Sequence, residues 1–225
     1  MLPGICLLYL NWDFHYRCWL STHKSISRFV YKVFHLATSD LKKDHLFVRR
    51  FGEVIQKCSD KIYADKDSDI LLEDLEIASV IMEEPIDTFH HGKEEEVYFP
   101  STHDKNNFSE DIRKFLIEHE LGRRISRMFK RELLIPRKCI NEGKQTGSKE
   151  PIARFLKSYA IFITDHLGKE DKFFDIVEDK GIISFDEDKM IRHHYELCKN
   201  KSGGQARIEE LLKLLEYLEY RDWME

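Results

Sequence analysis

The sequence predicts an all-α protein, an antiparallel up-down four-helix bundle with additional helices at both ends. Three observations carry this. Glycine (10) and proline (5) are few among 225 residues, which leaves long segments free to stay helical. Charged residues make up 34%, a share that suits solvated helix faces better than a sheet. Apolar residues recur in steps of three and four in four successive segments, the spacing of one helix face.

Residues 1–36 precede this pattern as an N-terminal extension of uncertain structure. They are rich in aromatics, among them Trp12, Phe14, Tyr16 and Trp19, and have no clean period. Arg17, Lys24, Arg28 and Lys32 against Asp13 make them basic. A docking arm, a helix laid on the bundle, and translation from a start codon set too far upstream all fit. Leu2–Leu10 is apolar but has no basic region before it and no clear cleavage site after it, so it does not read as a signal peptide.

The bundle proper is assigned to 37–180. The first helix runs from Ser39 to Ala64, capped by Thr38 or Ser39, with Leu41, Val48, Ile55 and Ile62 repeating every seven residues. His45 lies one turn after Leu41 and faces inward with them. The second helix spans Ile70–Phe99, its stripe running through Leu75, Met82, Ile86, His90 and Glu94. Pro85 removes a backbone bond inside it, so a kink or break is expected there, and Pro100 ends it. The third helix, Ser109–Ile135, buries Ile112, Phe115, His119, Phe129 and Leu133, and Pro136–Lys149 is a polar connection. The fourth starts at Pro151, a favoured first-turn residue, and carries Phe155, Tyr159, Phe162, His166, Glu170 and Phe173 on one face. Residues 181–225 form a C-terminal helical extension of two pieces, Glu187–Lys199 and Gln205–Tyr220. The last piece has a leucine face (Leu211, Leu212, Leu215, Leu218) for the bundle or for a second copy.

Several function classes drop out on composition. Net charge is −5 with signs mixed, so there is no electrostatic case for nucleic acid. No run reaches the roughly 18 apolar residues of a membrane span. The five cysteines are scattered without a CxxC pair, which argues against zinc, iron–sulfur and disulfide frameworks and fits a reducing cytoplasm.

What remains is a pattern of imidazoles and carboxylates. Phe89–Pro100 reads FHHGKEEEVYFP and Asp165–Phe174 reads DHLGKEDKFF; laying one GKE over the other puts His90 on His166 and Glu94 on Glu170. A histidine and a glutamate four residues apart share a helix face, so both can meet one metal. His45 and His119 add single inward imidazoles. At about 1.5 Å rise per residue all six fall in the same half of an up-down bundle. The candidate metal ligands are therefore His45, His90, Glu94, His119, His166 and Glu170. Imidazole with carboxylate and no thiolate suits iron or manganese, with zinc also possible. Two octahedral ions need about twelve donor positions; these six residues with an oxo or hydroxo bridge supply roughly ten, leaving room for O2, NO or peroxide.

These stretches resemble the hemerythrin-like (HHE cation-binding) family. The residues carrying the resemblance are Asp44–His45, His90–Pro100, Glu118–Arg124 and His166–Asp171, over about 39–180. The resemblance implies a non-haem di-iron protein that binds or senses O2, NO or redox state, or handles iron. A di-iron enzyme (peroxidase, NO reductase or iron-centre repair factor) and a metal-free helical interaction module are the alternatives. One departure matters. Oxygen-carrying hemerythrins place a second histidine one turn from the first on the third helix, and here those positions hold Phe115 and Arg123. The pattern is closer to four-His, two-Glu members linked to iron sensing, nitric oxide response and iron–sulfur repair, which implies a more open site.

Other groups have plainer readings. His91 and Glu95 are out of phase with the apolar stripe and are placed at the surface or behind the ligands. Tyr159 reads as core, His193 and His194 as a polar face, and Arg123 as either solvated or paired with Glu118, Glu120 or a ligand carboxylate.

Overall fold

Helix α1, Ala37–Ala64, buries Leu41, His45, Val48, Ile55 and Ile62, the stripe its heptad spacing predicts. A computed structural model describes residues 36–65, 68–145 and 147–225, so the expectations for residues 1–35 lie outside the described residues. The helix begins ahead of Thr38 and Ser39, neither of which is its cap. The Ala37 N–H instead donates to Oδ1 of Asp188 at 2.7 Å, so a distant carboxylate satisfies the first turn.

The second leg is continuous but not uniform. It starts as α2 (Leu72–Ile81), widens into a π-helical stretch over Met82–His91 and another over Glu94–Tyr98, and closes as α3 (Phe99–Thr102). The break expected at Pro85 is absent. Proline lacks an N–H and crowds the carbonyl four residues back, and the i→i+5 pattern relieves that crowding without ending the helix. The Thr88 hydroxyl also donates to the Glu83 carbonyl, five residues earlier, at 2.9 Å. Pro100 does not end the leg either; the π-helical turn Glu94–Tyr98 just before it makes room for the ring, as at Pro85, and the leg runs on to Thr102.

Helix α4 runs from Ser109 to Asn141, past the expected stop at Ile135. Pro136 forfeits one bond, but Arg137 just beyond it grips Glu76 of α2 through both Nε and Nη2, which holds the extra turn against the bundle. Helix α5 spans Glu150–Asp179. Helix α6 (Phe185–Lys201) opens on a capping box between Ser184 and Glu187. It meets α7 (Gly204–Glu219) at Gly203 and Gly204, whose φ values of +93° and +75° few other residues adopt.

Cross-helix contacts fix the directions. His45 and Ser59 of α1 meet Asp171 and Ala153 of α5, so rising numbers meet falling ones. Glu118 of α4 meets His166 of α5, while Gly122 lies against Phe162. Glu76, Asp87 and Glu95 of the second leg meet Arg137, Arg123 and His119 of α4. The four legs form the antiparallel bundle that the sequence predicts, with no strand among the described residues. The leucine face of α7 is used within the chain: Leu211, Leu215 and Leu218 are buried, the last two in the same cluster as Trp223. The Trp223 indole N–H donates to Asp74 at the start of α2 at 2.9 Å.

The core is two apolar clusters. One gathers Val48, Phe51, Ile86, Phe129, Tyr159 and Ile163; the other gathers Leu41, Tyr98, Phe99, Ile112, Phe115 and Phe174. The inward histidines and glutamates fall between them in sequence on the first three legs, and on α5 Glu170 does so while His166 sits at the edge of the first cluster, just before Leu167.

Candidate metal centre

The structure brings all six predicted residues into that intervening layer. His45, His90, Glu94, His119, His166 and Glu170 are each at most 2% exposed. Nε2 of His45 lies 3.7 Å from Glu94 and 3.4 Å from Glu170. Nε2 of His119 lies 3.4 Å from Glu94 and 3.2 Å from Glu170. Nε2 of His90 is 3.6 Å from Glu94, and Nε2 of His166 is 3.2 Å from Glu170. Both glutamates therefore sit between imidazoles from different helices.

Apart from the His119–Glu170 hydrogen bond at 3.2 Å, these contacts are poor hydrogen bonds, yet all lie near the roughly 3 Å between adjacent donors on one ion held at about 2.1 Å. Nε2 of His45, His90 and His166, both oxygens of Glu94 and Oε2 of Glu170 have no hydrogen-bond partner. Burying that many unpaired polar atoms is costly unless a cation satisfies them. The donor set fits a hard or borderline metal ion, and His45, His90, Glu94 and Glu170 form one group with donor atoms close enough to hold one.

Behind each imidazole stands a carboxylate. Nδ1 of His45 is 2.7 Å from Asp171, Nδ1 of His119 is 2.7 Å from Glu95, and Nδ1 of His166 is 2.9 Å from Glu118. Nδ1 of His90 is 3.5 Å from Asp44. Behind each carboxylate stands a cation: Arg49 on Asp171, Lys93 on Asp44, Arg123 on Glu95 and Lys169 on Glu118. Carboxylates that hold Nδ1–H fix the tautomer and turn Nε2 toward the centre. Glu95 thus lies behind a ligand candidate, one of the two places the sequence allows it. Arg123 pairs with Asp87 and Glu95 on the second leg and not with Glu118 or Glu120 of its own helix.

Proton affinities follow from this shell. Burial pushes the His45 imidazolium down, but the carboxylates of Asp171, Glu170 and Glu94 outweigh it and lift the pKa to about 11. Burial likewise opposes the charged form of His119, which Glu170 and Glu95 raise to about 10. Burial raises the Glu170 carboxyl, yet His166, His119 and His45 hold it well below the usual carboxylate range.

For His91 the sequence allows a place at the surface or one behind the ligands, and the structure rules out the first. Only 3% of His91 is exposed, and its ring stacks on His119 with centroids 3.9 Å apart. Periodicity assigned one of the two adjacent histidines inward because an α-helix turns neighbouring side chains apart. The π-helical stretch alters that phase, and both face the interior. His91, His119 and His166 make a second group with donor atoms close together. A cleft of about 220 Å³ reaches His91 from outside, walled also by Asp87, Arg123 and Tyr159. Tyr159 is core, as expected, and burial pushes its phenol up. His193 and His194 are exposed on α6.

The family model described as the hemerythrin HHE cation binding domain matches residues 36–177. The chain belongs to this family. No match was found among curated proteins or among solved structures. The HHE assignment agrees with the fold, with the groups of buried donors suited to cations, and with the absence, among the described residues, of any helix long and apolar enough to cross a membrane.

Proposed function

We propose that this HHE protein is a non-haem di-iron protein that binds a small ligand such as O2, NO or peroxide, and uses it in sensing or iron handling. His45, His90, Glu94, His119, His166 and Glu170 hold the two ions, with Glu94 and Glu170 shared between them. Iron held there supplies redox chemistry and an open position for a diatomic ligand. The observation that carries the proposal is the convergence of four Nε2 atoms on two buried carboxylates, each imidazole being backed by a carboxylate at Nδ1.

The chain's own residues have clear tasks. Asp171, Asp44, Glu95 and Glu118 orient the imidazoles. Phe99, Phe115 and Phe174 on one side and Ile86 and Ile163 on the other exclude water. The cleft beside His91 admits small molecules and excludes bulky ones. Cys58, Cys139 and Cys198 are free thiols, which suits a reducing cytoplasm. A protein partner or second copy would dock through the terminal extensions, where Leu212 of α7 stays exposed while Leu211, Leu215 and Leu218 are committed to the bundle.

The test is metal content and absorption of the chain expressed with iron, beside His90→Ala and His166→Ala. The proposal expects about two irons per chain, with near-ultraviolet charge-transfer bands that both variants lose. A reconstituted chain that holds no metal refutes it. Turnover of peroxide or NO abolished in Glu94→Ala would make the protein an enzyme and not a passive binder.

A further inference from the structure

The five histidines of the central layer share one pattern, and His91 is the one the ligand set above leaves out. Its Nδ1 faces Oδ1 of Asp87 at 3.4 Å, as the other four face Asp171, Asp44, Glu95 and Glu118. Asp87 is in turn held by Arg123 at 2.6 Å, the same guanidinium that holds Glu95 behind His119. With Nδ1 turned to Asp87, Nε2 is the nitrogen left to bind a metal. One donor atom from each of His91, His119 and His166 lies within 4.8 Å of the others. The rings of His91 and His119 are stacked at 13°, and His91 is perpendicular to His166 at 6.0 Å. Neighbouring imidazoles on one octahedral ion have donors about 3 Å apart at bond lengths near 2.1 Å with the ion in both ring planes, so His91 must tilt out of its stack on His119 to share an ion with it.

We infer that His91 is a fifth imidazole ligand, binding through Nε2 the ion that His119 and His166 hold. The centre then has three imidazoles on one side (His91, His119, His166), two on the other (His45, His90), and Glu94 and Glu170 shared. The fifth histidine comes from the second leg, beside His90 in sequence, and not from the position one turn from His119 on α4. The π-helical stretch over Met82–His91 makes this possible, because it lets consecutive residues face the same interior. His91 then fills the coordination position nearest the cleft, and a small ligand that enters by the cleft binds on the ion held by His45 and His90. This inference rests on the di-metal proposal and deepens it.

The experiment uses the full chain loaded with cobalt(II), whose unpaired electrons shift the ring N–H protons of coordinated imidazoles far outside the ordinary proton spectrum. The expected result is five shifted exchangeable signals in the wild type and four in His91→Leu. Asp87→Asn, which keeps the side chain's size, should move one signal only. His91→Leu should also bind azide at least tenfold more tightly, because a position on the His119–His166 ion opens. Four signals in the wild type, unchanged in Asp87→Asn, with two cobalt ions bound, would overturn the inference and leave His91 as a stacked wall of the cleft, with the di-metal proposal intact. No bound cobalt in the wild type would overturn both.

Discussion

Arg123 donates from Nε to Oδ1 of Asp87 at 2.6 Å. Its Nη2 reaches Oε1 of Glu95 at the same distance. One cation on α4 therefore steadies two carboxylates, and through them the imidazoles of His91 and His119. Arg123→Leu should keep the fold, since the side chain lies at the edge of the bundle, yet weaken metal binding by about 10- to 100-fold, the range for lost outer-shell partners. Competition with a chromophoric chelator measures this. Unchanged affinity would mean the carboxylates need no counter-charge.

Metal loading should release protons. In the metal-free protein His45 and His119, with pKa values of about 11 and about 10, are protonated at neutral pH. Ligating imidazoles must be neutral, so binding near pH 7 should expel about two protons. Calorimetry in buffers of different ionisation heat reads that number; a value near zero would show that the imidazoles start neutral. The same shifts set the stability of the metal-free chain. Both folded pKa values lie above the unfolded value of about 6.5, so the stabilisation is complete below that pH and is lost as pH rises through 10 and 11. Thermal melts of metal-free protein should fall across that alkaline window.

Asp188→Ala should destabilise the bundle by about 1–2 kcal/mol, the upper range for a lost helix cap, because it frees the buried Ala37 N–H. Asp188→Asn, which keeps an acceptor, should cost less. Urea denaturation midpoints separate the two.

A Cβ at Gly122 would come within 2.7 Å of the Phe162 ring, which itself stacks on His166 at 5.3 Å. Gly122→Ala should therefore cost about 1–3 kcal/mol as overpacking. It should also shift the spectrum of the metal-loaded centre, since Phe162 can yield only by disturbing His166. A stability loss with no spectral change would show that the ring moves away from the site.

Much of this was legible in the residues. The stripes through Leu41–His45–Val48 and Phe162–His166–Phe173 have helical period, and the shared spacing of His90–Glu94 and His166–Glu170 marks the layer where they meet. Features that depend on departures from that period were not. Pro85 signals trouble in the second helix, but nothing local says whether the chain breaks, kinks or widens, and the answer decides where His91 points. Arg123 offers several partners on its own helix, yet its choice of Asp87 and Glu95 depends on how α4 is rotated against the second leg. The cap on Ala37 comes from Asp188, 151 residues away, a pairing no local rule reaches.

The two apolar clusters have a consequence for motion. Oil holds each end of the bundle to itself, but little oil bridges the layer between Leu41 and Val48 or between Ile86 and Val97. Without a cation, that waist is crossed mainly by helix backbone and ion pairs, which resist separation less than packed side chains do. Amide exchange in the metal-free chain should then fall into two populations, one per cluster, opening with different free energies. A bound metal pair would tie the ends into a single cooperative body, so that the supply of that metal would set how often the chain is exposed to proteases.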